Sequence, residues 1–211
     1  MVGPGGAGRG HDHQPLSHDT HERWFTHDCY CCPPQVARTI ARLHNWAYGL
    51  SPKGLWVHLY GGSRVATRLP GGSPLALAQE THYPWEGEIT LTVEQAPDAQ
   101  VSIYLRIPAW AKDARLRVNG QRVSETPQPG SYAELRRVWS AGDRIELELP
   151  LEVRLVAAHP KVEETRNQVA VLRGPVVYCL EGVDLPAGVD LSEVYVPRGM
   201  RWTPQHDPDL L

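Results

Sequence analysis

Residues Cys29-Tyr30-Cys31-Cys32-Pro33-Pro34 hold three of the chain's four cysteines within four positions. They stand directly ahead of a segment with helical periodicity. A thiol at a helix N-terminus faces the positive end of the macrodipole, which favours its thiolate form. Thiolates side by side can hold a soft metal such as zinc or act as nucleophiles. No other stretch concentrates reactive groups in this way, so the chemistry of the chain is expected to start here.

The elements that position these thiols follow from periodicity. From Gln35 to Tyr48, the apolar residues Val36, Ile40, Leu43 and Ala47 recur at intervals of three and four, with Arg38 and Arg42 on another face. Pro33 and Pro34 suit a first turn, where missing N–H groups cost nothing, and Gly49 with Ser51-Pro52 is placed to end the helix. The spacing predicts one amphipathic helix of roughly 14 residues. It has a single apolar face to bury and no second helix to pack against. It therefore lies on the β-structure or belongs to a helical domain outside this chain.

After the helix the period falls to two. Leu55–Tyr60, Glu88–Val93, Val101–Ile107 and Arg115–Val118 read as strands. Asn119-Gly120 is the strongest short-range hairpin signal, and Gln121–Val123 returns from it. Tyr132–Val138 and Arg144–Leu149 flank a turn at Ala141-Gly142-Asp143, and Val153–Ala157, Gln168–Leu172 and Pro175–Leu180 continue the series. Short strands about ten residues apart predict a mostly β fold, an antiparallel, jelly-roll-like β-sandwich preceded by one helix. The divisions expected are a leader at 1–23, a strand and helix segment at 24–50, the sandwich at 51–182, and the start of a further module at 183–211.

Composition narrows the function classes. The net charge of −3 lacks the basic excess of a nucleic-acid surface. No run of about 18 apolar residues predicts a membrane span, so neither nucleic acid nor membrane is an expected partner. The N-terminus has no charged start followed by an apolar run, and a cytoplasmic location is expected. Four cysteines, three of them crowded in this way, suit a reducing compartment or a metal rather than a disulfide scaffold. Cys179, in Val176-Val177-Tyr178-Cys179-Leu180, reads as a buried core thiol.

Other constellations have plainer readings. His11, His13, His18, His21 and His27 lie in a Gly- and Pro-rich leader whose irregular spacing presents no pairs on one face. Trp85, Trp110 and Trp139 could form a stacking surface for sugars, or simply pack against strands. Glu163-Glu164 beside His159 reads as an exposed loop, and Gly71-Gly72-Ser73-Pro74 as a turn.

Cys31-Cys32-Pro33-Pro34 followed by Val36-Ala37-Arg38 resembles glycoside hydrolase family 127, the β-L-arabinofuranosidases. The likeness continues through Gly54-Leu55-Trp56-Val57-His58-Leu59-Tyr60 and Arg106-Ile107-Pro108-Ala109-Trp110. It then runs through Val118-Asn119-Gly120, Trp139-Ser140-Ala141-Gly142-Asp143 and Arg173-Gly174-Pro175-Val176-Val177-Tyr178, all in the family's order. The resemblance implies a helical (α/α) barrel followed by β-sandwich domains, with residues 24–50 the end of that barrel. It implies an active-site zinc held by three cysteines and a glutamate, a cysteine nucleophile that forms a thioglycosyl intermediate, and a separate glutamate as acid/base. By position, Cys31 resembles the nucleophile, and Cys31 and Cys32 resemble zinc ligands. The family's other ligands and its acid/base lie upstream of the pair. Here thirty residues precede Cys31, with Glu22 their one glutamate, and Gln35 stands where the family commonly has Asn.

The expectation is therefore the C-terminal part of a zinc- and cysteine-dependent retaining hydrolase of β-L-arabinofuranosyl sugars, inactive alone; a separate chain carrying the barrel is one partner it could have. Two alternatives stand beside it. One is a non-catalytic sandwich that binds carbohydrate or a partner catalytic domain. The other is a structural zinc site built from Cys29, Cys31, Cys32 and His27, with Cys29 otherwise a neighbouring thiol.

Overall fold

The computed structural model describes residues 32–197 and 199–205. Cys31, Cys29, His27 and the histidine-rich leader lie outside these residues. The described chain falls into two compact units, which divide between Glu152 and Val153.

The first unit opens with helix α1 (Cys32–Arg42) and a short helix α2 (His44–Ala47), and continues directly into strand β1 (Tyr48–Ser51). The single helix expected to Tyr48 thus breaks at Leu43, and Gly49 is a strand residue rather than a helix cap. The override is tertiary. The Tyr48 hydroxyl meets Ser63 Oγ at 2.9 Å and accepts a bond from buried Gln79 at 3.2 Å. Those partners draw the backbone out of the helix and into a sheet.

Nine further strands follow: β2 (Gly54–Val57), β3 (Ser63–Arg68), β4 (Pro74–Thr81), β5 (Glu88–Gln95), β6 (Gln100–Ile107), β7 (Arg115–Val118), β8 (Gln121–Arg122), β9 (Ser131–Val138) and β10 (Arg144–Glu148). They form a four-stranded sheet in the order β1-β2-β6-β9 and a six-stranded sheet in the order β3-β4-β5-β10-β7-β8. Neighbouring strands run antiparallel except for β2 and β6, which pair in parallel, Leu55 opposite Ile103 and Val57 opposite Leu105.

The two sheets share one core. Leu55, Val57, Ile103, Leu105 and Ile107 come from the first sheet, and Leu75, Leu77, Ile89, Leu91, Val93, Ile145 and Leu147 from the second. Alternation makes this possible: in β5, Ile89, Leu91 and Val93 are buried, while Thr90 and Thr92 between them are not. The mostly β sandwich read from the sequence is what the chain forms. β6 departs from simple alternation, since Ser102 and Tyr104 on its other face are also buried.

The Asn-Gly hairpin forms as expected, with Asn119 at φ 52° and Gly120 at φ 75°. Its side chains tie it to the next turn. Asn119 Nδ2 donates to Asp143 Oδ1 at 2.8 Å, and Asn119 Oδ1 accepts from the Arg144 N–H at 2.8 Å. The Ser140 N–H and then Asn119 hold the Asp143 carboxyl below the usual range.

The second unit holds a three-stranded antiparallel sheet, β11 (Val153–Val156), β12 (Ala170–Arg173) and β13 (Val176–Tyr178), with β12 in the middle. Among the described residues, no buried hydrophobic residue lies beyond Leu149. Cys179 is accordingly exposed, not the core thiol expected from its apolar neighbours. It follows an edge strand of a sheet with no buried apolar layer beneath it. The Glu163–Thr165 segment is an exposed 3-10 turn with an ion pair from Arg166 to Glu163, which is the plain loop expected there. Among the described residues no helix is long and apolar enough to cross a membrane.

Candidate functional site

Two regions carry chemistry, and both belong to the first unit. The first is the start of α1. Cys32 opens the helix and is exposed, with Pro33 and Pro34 in its first turn. Every residue of α1 is exposed, and its apolar stripe continues past the helix end. Val36 is 58% exposed, Ile40 67%, Leu43 47% and Trp46 49%. An amphipathic helix with its apolar face bare is unusual in an isolated domain, because most helix stability comes from burying that face. The helix does not lie on the sandwich.

Two adjacent thiols are soft donors of the kind zinc prefers, so the donor chemistry at Cys31 and Cys32 suits that ion. Among the described residues, however, no group of three or more His, Cys, Asp or Glu side chains is placed to hold a metal.

The second region is the outer face of the four-stranded sheet, which the sequence reading did not single out. Alternation places Trp56 on β2, Ser102, Tyr104 and Arg106 on β6, and Tyr132, Glu134 and Arg136 on β9 away from the core. Register then sets Trp56 beside Tyr104, Tyr104 beside Glu134, and Arg106 beside Tyr132. The Trp56 and Tyr104 rings stack at 3.9 Å with an 8° interplanar angle. Tyr132 meets Trp56 edge-on at 4.9 Å and His58 edge-on at 5.6 Å. Its hydroxyl lies 2.6 Å from His58 Nδ1.

Glu134 is fixed from the same sheet. Ser102 Oγ and Tyr104 Oη both donate to its Oε1, at 2.6 and 2.9 Å. Those bonds hold its carboxyl below the ordinary range, with Arg136 and Lys53 adding favourable charge. Burial pushes the Tyr104 hydroxyl up, and so does its bond to Glu134. The local signal for this face was present as i, i+2, i+4 spacing in β9. Only register with β6 and β2 makes it one cluster.

His58 makes this face sensitive to pH. Burial, and then the nearby Arg106 charge, lower its pKa. The unfolded chain, with a histidine near pKa 6.5, then takes up a proton before the folded one does. Stability contributed by neutral His58 is present in full above about pH 6.5 and is lost as pH falls from there through the lower folded-state value. The urea midpoint of the chain should therefore drop as pH falls below about 6.5, and His58→Gln should flatten the drop. A profile as steep in His58→Gln as in the parent would assign it to other groups. Glu134 and Asp143 act lower, since their folded pKa values are depressed and their contributions fade only as pH falls below the ordinary carboxylate range.

The three tryptophans considered from sequence do not form one surface. Trp139 is 2% exposed and donates from Nε1 to the Val101 carbonyl at 2.9 Å. Trp110 packs against the core, while Trp85 is 45% exposed.

Comparison with known proteins covers most of the chain. The family model described as β-L-arabinofuranosidase, GH127 middle domain, matches residues 54–151. The model of the glycoside hydrolase family 127 C-terminal domain matches residues 153–207. The non-reducing end β-L-arabinofuranosidase of Bifidobacterium longum subsp. longum is 37% identical over 184 residues, covering 82% of this chain and 26% of that protein. A solved GH127 β-L-arabinofuranosidase from Geobacillus stearothermophilus T6 superposes with a TM-score of 0.79 at 39% identity, covering 90% of this chain and 29% of its own. A second solved structure, described as a glycoside hydrolase, gives a TM-score of 0.73 at 42% identity, covering 83% of this chain and 30% of its own. The chain thus spans about a quarter of the curated relative it matches, and corresponds to a C-terminal portion.

Proposed function

This chain belongs to glycoside hydrolase family 127, and on that premise we propose that it is the cysteine-bearing, C-terminal portion of a hydrolase of β-L-arabinofuranosides that works only with a helical catalytic domain. The observation that carries this reading is the bare stripe Val36, Ile40, Leu43 and Trp46, immediately after the cysteine pair. A surface of that kind stabilises by burial, roughly 25 cal/mol per Å² of apolar area removed from water. A helical partner domain seated there would bring its own groups up to Cys31 and Cys32.

In this arrangement Cys31 is the nucleophile, and Cys31 and Cys32 are zinc ligands. Zinc would keep the thiols ionised at neutral pH. The N-terminus of α1 favours the same charge state, and Pro33-Pro34 starts the helix at a fixed place relative to the pair. Retaining hydrolysis needs an acid/base as well as a nucleophile. The reading assigns that role to the partner domain, since proton transfer is worth roughly 10²- to 10⁴-fold.

The test is turnover of an aryl β-L-arabinofuranoside by the purified chain, alone and co-expressed with the barrel portion of a family relative. No hydrolysis alone and hydrolysis with the barrel are expected. Turnover by the chain alone would overturn the division of labour, and none in either case would overturn the reading. A second reading, a sandwich that binds carbohydrate without catalysis, is favoured by the ordered aromatic and carboxylate groups on the outer sheet face.

A further inference from the structure

We propose that Tyr132, Glu134 and Arg136, on the outer face of β9, form a binding subsite for a neutral saccharide. The proposal rests on the carbohydrate reading of the family and deepens it by naming a surface. Exposed tyrosines and glutamates normally turn freely, and ordering them costs conformational entropy. Here that cost is already met by the fold. The Tyr132 ring, 37% exposed, is held by edge contacts with Trp56 and His58 and by the 2.6 Å bond to His58 Nδ1. The exposed Glu134 is held by Ser102 and Tyr104, which are themselves 5% and 7% exposed. Two buried hydroxyls thus serve to orient one solvent-facing carboxylate. Preorganisation of this kind raises affinity because binding need not order the groups again.

The chemistry selects the ligand class. Both bonds to Glu134 end on Oε1, so Oε2 has no protein partner among the described residues. An apolar protein surface laid over this face would strand an ionised oxygen out of water, which is costly. A sugar brings hydroxyl donors to Oε2 and acceptors to Arg136, and lays a C–H face on the Tyr132 ring. Tyr132 and Glu134 stand two residues apart on one strand face, about 7 Å. That is the span of a single sugar ring.

The experiment titrates the full chain with methyl β-L-arabinofuranoside and, separately, with cellobiose, reading the Trp56 indole N–H by ¹H–¹⁵N NMR. A saturable millimolar response to at least one sugar is expected, weakened about 10-fold or more in Tyr132→Ala and in Glu134→Gln and unchanged in Trp85→Ala. Glu134→Gln preserves shape and keeps the test open if Tyr132→Ala fails to fold. No saturable response to either sugar, or an equal response in Glu134→Gln, would overturn the proposal. So would concentration-dependent self-association of the chain that Glu134→Gln abolishes, which would make the face a protein interface. Failure here alongside barrel-dependent turnover sinks only this subsite. Saturable binding without such turnover sinks only the cysteine reading.

Discussion

Replacing Gly54 with alanine is expected to cost about 4 kcal/mol or more of the stability of the sandwich, an exceptional loss for one methyl group. Gly54 begins β2 at φ 145°, a conformation that side chains rarely adopt. A Cβ there would overlap the backbone carbonyl oxygen of Ser102, its partner in the parallel pair with β6. Neither side can yield cheaply. β6 carries Ile103, Leu105 and Ile107 into the centre of the core, all fully buried. If β2 retreats instead, Leu55 and Val57 leave the core, at roughly 1.5–3 kcal/mol each. That is comparable with the whole stability of an ordinary domain, about 5–15 kcal/mol. Gly71→Ala is the control, since Gly71 also has a positive φ, 104°, but open space where its Cβ would stand. It should cost only about 1 kcal/mol. Urea unfolding followed by far-UV circular dichroism separates the two. Equal midpoints for Gly54→Ala and the parent would mean that the parallel β2–β6 contact does not hold the sandwich together.

In the chain reconstituted with a helical barrel, Cys31→Ala should reduce kcat at least about 10³-fold, the scale on which enzymes lose a nucleophile. Both variants should lower zinc content, measured by atomic emission after dialysis, but only in Cys32→Ala should activity return in part when zinc is added in excess. The two cysteines are adjacent, so a general disturbance of the helix start would affect both variants alike. Different signatures would separate nucleophile from ligand. If Cys31→Ala keeps kcat near that of the parent, the nucleophilic role passes to another group and the assignment is wrong.

Much of this protein was legible one segment at a time. β5 and the exposed and buried positions of β10 follow from period-two alternation, because each has one face on the core and one toward water. The β7–β8 hairpin follows from Asn119-Gly120, since two consecutive positive φ values are a local demand. The cysteine pair ahead of a helix was equally readable, and the ordered motifs carried the family. β3 and β4 escaped for physical reasons. β3 is an edge strand with few buried positions. β4 buries Leu75, Ala76 and Leu77 in succession beside a register shift, which erases the alternation. β1 escaped because Tyr48 leaves the helical pattern for hydrogen bonds with Ser63 and Gln79, residues far along the chain.

The amino-acid sequence by itself determined the period of each segment, its turns, the site of the thiol pair and the lineage, because these depend on neighbours within a few residues. Tertiary structure alone decided that β9 and β10, joined by one turn, belong to different sheets, and that β2 runs parallel to β6. It also decided that Trp139 is core and that Trp56, Tyr104, Tyr132 and Glu134 form one cluster. Such facts depend on register between strands distant in the chain. A shift of one residue would send every one of those side chains to the opposite face.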